Sequence, residues 1–113
     1  NNGLDRDEDF TDLGRYNVTG LPSDMAVFKV PSLRNIALTA PYMHDGRFNT
    51  LEEVIDHYNT GVKHSSTVHH SMEHNLSHGG LLLSAQDKAD LVAFLHTLKD
   101  ETLLTDERYA SPF

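Results

Sequence analysis

Cysteine is absent from all 113 residues, so disulfides, thiolate metal sites, cysteine nucleophiles and covalent haem attachment are excluded within this stretch of chain. Tryptophan is absent too, which leaves five Phe and four Tyr as the large planar groups for packing. With 38% apolar residues and a mean hydropathy of -0.45, a chain of this size has little margin for a core of its own. A bulky planar cofactor or a neighbouring domain would make up the deficit. Positive charge is scarce. Nine Lys and Arg stand against 17 Asp and Glu, a formal -8, which argues against nucleic acid and anionic membrane surfaces as partners. The same acidity is compatible with docking of a basic redox partner and fits an ordinary soluble surface equally well. No apolar run approaches the roughly 20 residues that span a bilayer, and no signal peptide opens the chain. Starting at Asn1 without Met, the chain reads as an excised piece or a mature fragment.

What is present reads as mainly helical, with long loops. Residues 1 to 27 mix acidic residues with Gly3, Gly14, Gly20 and Pro22 and carry no period, which predicts an extended loop wrapped over a cofactor or partner. Val27 to Val30 predicts a short extended segment ending at Pro31, after which Ser32 would cap a short helix through Leu38. Thr50 to Glu53 spells a capping box, and Leu51, Val54, Ile55 and Tyr58 then form a helical apolar stripe that turns Tyr58 inward, closed by Gly61 in a left-handed cap. Residues 62 to 80 predict a polar, His-rich loop. A second capping box, Ser84 with Asp87, opens a helix bearing Leu91, Val92, Phe94, Leu95 and Leu98 and ending near Lys99. Leu103, Leu104, Tyr109 and Phe113 predict a tail lying along the surface.

The densest polar constellation is Thr39-Ala-Pro-Tyr-Met-His-Asp-Gly-Arg-Phe48, which puts a thioether, an imidazole, a phenol and a guanidinium in one turn. Met43 and His44 are iron-ligand types, and Arg47 is suited to carboxylates such as haem propionates. Taken singly, packing or a loop hydrogen bond is the commoner role for each, and a Tyr completing an apolar stripe is usually core. His64, His69, His70, His74 and His78 form a second cluster, with His70 and His74 spaced to share a helical face. No acidic or Cys ligand completes a recognisable metal pattern there, so a solvated loop is the simpler reading. Nucleophile-elbow and phosphate-cradling motifs are absent.

Three strings, Phe28-Lys-Val-Pro-Ser-Leu-Arg-Asn35, Leu38-Thr-Ala-Pro-Tyr-Met-His-Asp-Gly46 and Thr50-Leu-Glu-Glu-Val-Ile-Asp-His-Tyr58, closely resemble the second haem domain of bacterial dihaem cytochrome c peroxidases. Ser84 to Lys99 looks like that family's last major helix, Arg108 to Phe113 like its terminal segment, and Asn1 to Asp5 like the stretch after its haem-binding Cys-x-x-Cys-His motif. Residues 1 to 113 are thus expected to be the carboxy-terminal part of a cytochrome c-like haem domain that lacks the Cys-x-x-Cys-His segment. The resemblance implies haem c in the parent protein and an electron-transfer role for this domain beside an amino-terminal haem domain that reacts with peroxide.

By the same resemblance, Tyr58 holds the place of the axial Met of the peroxidases, a place where the dihaem enzyme maturing methylamine dehydrogenase has Tyr. Tyr58 is therefore the expected axial ligand, ahead of Met43. A phenolate is a hard donor that favours ferric iron and a lowered potential. Backbone carbonyls at Thr39 and Pro41 match a calcium site shared with the other domain, and two carbonyls are too few to hold calcium alone. The expected function is a periplasmic peroxidase-type oxidoreductase acting on hydrogen peroxide or, through peroxide, on a protein substrate, with a small redox protein as donor. The piece alone is expected to be inactive. The competing expectation is a non-catalytic module that binds a metal or a partner through the His-rich loop 64-78.

Overall fold

The computed structural model describes residues 1–110. Among the described residues five helices are connected by loops and short helical turns: α1 Tyr16–Thr19, α2 Leu51–Asp56, α3 Glu73–His78, α4 Ala85–Thr97 and α5 Thr102–Thr105. Both capping boxes form. The Thr50 hydroxyl accepts from the Glu53 N–H at 3.2 Å while the Glu53 carboxylate accepts from the Thr50 N–H at 3.1 Å, and Ser84 and Asp87 do the same for α4. Two donors that would otherwise be orphaned at each helix start are thereby satisfied.

The first 27 residues are not one extended loop. They fold into a 3-10 turn at Asp7–Asp9, α1, and another turn at Pro22–Asp24, joined to each other by an isolated parallel bridge between Gly14 and Val27. Nor does Ser32 start a helix. Its hydroxyl only caps the Arg34 N–H, and the helical turn Ile36–Leu38 begins after Asn35, whose backbone is left-handed at φ 60. Val27 to Val30 forms no strand.

Polar residues 62 to 80 also hold more structure than their composition predicts. His70–Met72 and α3 are helical, and Ser65, at 2% exposure, is buried among hydrogen bonds to the amino-terminal segment. Asn1 Nδ2 donates to Ser65 Oγ at 2.9 Å and to Thr67 Oγ1 at 3.1 Å, and the Lys63 N–H donates to the Gly3 carbonyl at 2.7 Å. Local sequence cannot reveal a loop whose backbone groups are satisfied by a segment some sixty positions away.

α2 packs against α4, and α4 against the turn Ile36–Leu38. The buried apolar residues are Leu4, Ala26, Tyr42, Leu51 and Ile55, and no large side chain among the described residues is fully enclosed. The chain is a flat slab of 45 × 40 × 19 Å with a radius of gyration of 16.4 Å, against about 13 Å expected for a compact domain of this length. Burial is correspondingly one-sided. No residue of α4 is buried, Leu91 is 40% exposed and Phe94 55% exposed. The anticipated tail anchors Leu103, Leu104 and Tyr109 are likewise exposed, and Phe113 lies outside the described residues. Val92 and Leu95 of α4 and Leu98 at its cap are half-buried, so the exposed large apolar side chains of this helix are confined to Leu91 and Phe94. Among the described residues no helix is long and apolar enough to cross a membrane.

Candidate haem-facing site

At the end of α2 the regular hydrogen bonding widens into a π turn, His57–Gly61. Such turns rotate the following side chains relative to a continuous helix. The apolar stripe that predicts an inward Tyr58 is altered accordingly: His57 is the buried residue, at 6% exposure, and Tyr58 is half-buried. Gly61 is not a left-handed cap; it closes the π turn, and a Cβ there would stand 3.3 Å from His57 Nδ1. Asn75, buried on α3, donates its amide N–H to the Tyr58 carbonyl, and Asn59 Oδ1 accepts from the Leu83 N–H at 2.9 Å. The turn is thus held from two sides.

Residues 42 to 48 form the opposite wall. The Tyr42 N–H donates to the Phe48 carbonyl at 2.7 Å, and the Tyr42 hydroxyl to the Ile36 carbonyl at 3.0 Å. Met43 has φ 74, a left-handed conformation that a residue with a Cβ adopts only at some energetic cost. Arg47 pins this wall to the amino-terminal segment. Its two terminal nitrogens meet the Asp5 carboxylate at 3.0 and 2.6 Å, and its Nε meets Asp45 Oδ2 at 2.7 Å. These hydrogen bonds hold both carboxyls below their ordinary range and keep the guanidinium firmly protonated. A propionate would therefore compete with two carboxylates for Arg47.

Asn2 joins the two walls. Its Nδ2 donates to the Tyr58 phenol oxygen and to the Met43 sulfur, both at 3.3 Å, and its carbonyl accepts from His57 Nε2 at 3.1 Å. A carbonyl only accepts, so His57 carries its proton on Nε2. The His57 ring stands edge-on to Tyr58 with centroids 5.1 Å apart. Sequence reasoning brings Tyr58 and Met43 forward but misses Asn2, His57 and Asn75. His57 was visible only as the neighbour of Tyr58, and Asn2 only within an Asn-Asn-Gly turn.

Burial, aided by the charges of Arg47 and Lys63, pushes the His57 imidazole below its ordinary value, while the Asn2 carbonyl and Asp5 oppose the shift. Just below pH 6.5 the unfolded chain binds a proton at His57 that the folded chain refuses. Stability from this residue is complete above that pH and lost as the pH falls through the window beneath it. Urea midpoints taken between about pH 7.5 and 5.5 should fall with acidification, and His57→Gln should flatten that slope. An identical slope in the variant would remove His57 as its source.

The other expected site residues are placed elsewhere. His44 is exposed and stacks on Phe28 at 3.7 Å between centroids, and it makes none of the hydrogen bonds of the Asn2 junction. Thr39 and Pro41 are exposed on either side of Ala40, with a cis bond before Pro41, and the Thr39 hydroxyl donates to the Ile36 carbonyl. The imidazoles of the His-rich segment form two pairs, His69 with His70 at 4.2 Å and His74 with His78 at 4.1 Å. His70 and His74 do not pair, because a 3-10 turn ends between them. Among the described residues no group of three or more His, Cys, Asp or Glu is arranged to hold a metal ion.

The donor set at the junction, a phenol and a thioether held by one amide on a half-buried wall, fits the axial side of a haem. Covalent anchors and a second axial ligand would have to come from residues other than these, since no Cys is present.

No protein-family model matches the chain. Among curated proteins, the cytochrome-c peroxidase IdrP2 of Denitromonas iodatirespirans is 43% identical over 93 residues, covering 82% of this chain and 23% of that protein. The methylamine utilization protein MauG of Methylorubrum extorquens is 41% identical over 93 residues, covering 80% of this chain and 24% of that protein. The cytochrome c peroxidase Ccp of Escherichia coli is 36% identical over 104 residues, covering 85% of this chain and 18% of that protein. The chain thus spans about a quarter or less of the curated relatives it matches. A crystal structure of a MauG-like protein associated with microbial copper homeostasis superposes with a TM-score of 0.84 at 43% identity, covering 99% of this chain and 38% of that one. The helical fold and these relationships agree: the chain belongs to the dihaem cytochrome c peroxidase and MauG family, of which it represents a segment with a cytochrome c-like helical fold.

Proposed function

We propose that these residues are the distal part of the electron-transfer haem domain at the carboxy-terminal end of a dihaem peroxidase-type oxidoreductase, with Tyr58 as the axial donor to its iron. The observation that carries this reading is the Asn2 junction: the Tyr58 oxygen is held on a half-buried wall by a π turn that neighbouring segments brace. The haem, when bound, supplies the one-electron chemistry. The chain's own residues orient the phenol through Asn2, shield it with His57 and the turn 42 to 48, and present the exposed Leu91 and Phe94 of α4 to the remainder of the domain.

The parent reaction is the reduction of hydrogen peroxide, or peroxide-driven oxidation of a protein substrate, in the periplasm. Electrons arrive from a small redox protein, for which the net charge of -8 favours a basic face. Calcium would use the Thr39 and Pro41 carbonyls together with oxygens from the amino-terminal haem domain. The segment alone, without haem anchors, is inactive.

The test is Tyr58→Phe in the full-length, haem-loaded protein that carries this sequence. One haem should lose its phenolate-to-iron absorption and gain a higher reduction potential, because a hard anionic donor that favours ferric iron has been removed. An unchanged spectrum would sink the assignment.

A further inference from the structure

We propose that Met43 is a second axial donor for the coordination position assigned to Tyr58, taking that position when the iron is reduced. The inference rests on the functional reading above and deepens it. A single amide nitrogen, Asn2 Nδ2, lies 3.3 Å from the Tyr58 oxygen and 3.3 Å from the Met43 sulfur, so the two donors cannot be further apart than twice that distance. Both lie within reach of one hydrogen-bond donor, which can hold whichever of them is released.

Their chemistry is complementary. A phenolate is hard and anionic and matches ferric iron; a thioether is soft and neutral and matches ferrous iron. One electron, delivered by a one-electron redox protein, converts ferric to ferrous iron. On a bound haem, Tyr58 would supply the anionic oxygen that ferric iron favours and Met43 the neutral sulfur that ferrous iron favours, the released phenolate taking its proton from solvent. Reoxidation runs the same exchange backwards, so no further reactant is consumed.

The backbone and side chain of Met43 suit this role. Three rotatable bonds and a polarizable sulfur let the side chain swing over several ångströms without moving the chain. The left-handed backbone at φ 74, an unfavourable choice for a residue with a Cβ, aims Met43 back toward the Asn2 junction and is held by the Tyr42 to Phe48 bridge and by Arg47. His44, its sequence neighbour, is engaged in a stack on Phe28.

The experiment compares Met43→Leu with the unsubstituted full-length, haem-loaded protein. The ferric spectrum should be unchanged, which also establishes that the variant folds and keeps Tyr58 in place. On reduction, one haem should lose its six-coordinate ferrous spectrum and become five-coordinate. A ferrous spectrum identical to that of the unsubstituted protein overturns the proposal. Should Met43→Leu fail to fold, selenomethionine-labelled protein gives an independent reading. Iron-edge X-ray absorption should then gain an iron–selenium distance on reduction in one haem's worth of iron, and its absence equally overturns the proposal. Failure of the Tyr58 assignment is separately visible as an unchanged ferric spectrum in Tyr58→Phe.

Discussion

Gly80→Ala is expected to cost about 2 to 5 kcal/mol of stability, a large share of what a chain with so small a core can have. Gly80 has φ 119, and a Cβ built there would lie 2.0 Å from the Asn59 carbonyl oxygen and 3.1 Å from its carbon. Both obstacles are backbone, so no side-chain rotation relieves them. Relief requires moving the π turn, which would pull the Asn59 carbonyl from the Leu81 N–H that it accepts at 2.8 Å and displace Tyr58 with it. Gly79 is the internal control. It is also left-handed, at φ 76, but a Cβ there meets nothing within 4 Å, so Gly79→Ala should carry only the backbone strain, about 1 to 2 kcal/mol. Urea unfolding of the two variants side by side checks this, and equal losses would refute the steric argument.

Asn35→Ala should lose about 2 to 4 kcal/mol, combining left-handed backbone strain with a buried hydrogen bond left unmade. Asn35 is 6% exposed and stitches the turn before Ile36–Leu38 to the end of α4. Its N–H donates to the Leu98 carbonyl at 3.0 Å, and its side-chain oxygen accepts from the Asp100 N–H. Asn35→Gly separates the two contributions, since glycine keeps the φ 60 backbone without strain but cannot accept from Asp100. The glycine variant should therefore unfold at a higher urea concentration than the alanine variant and a lower one than the unsubstituted protein. A glycine variant no better than alanine would mean that backbone conformation contributes nothing at this site.

Both positions illustrate what a local reading misses. Gly80 stands in a run of polar residues that predicts a loop, and Asn35 in a string that predicts the first turn of a helix capped by Ser32. Nothing nearby reveals that each is a junction between distant segments. Elements whose determinants are local were legible. Thr50 with Glu53 and Ser84 with Asp87 start α2 and α4 as their spacing requires, because a capping box is satisfied within four residues.

The sequence by itself determined the helical class, both principal helix starts, the lack of Cys among these 113 residues, and the prominence of Tyr58 and Met43. Tertiary structure decided that the end of α2 unwinds into a π turn, that His57 rather than Tyr58 is the buried residue there, and that Leu91 and Phe94 of α4 are left exposed. It also brought Asn2 between Tyr58 and Met43, across 56 and 41 positions of chain. Helix caps are closed by neighbours in sequence, whereas a donor shared by two side chains depends on loop closures whose register no local pattern records.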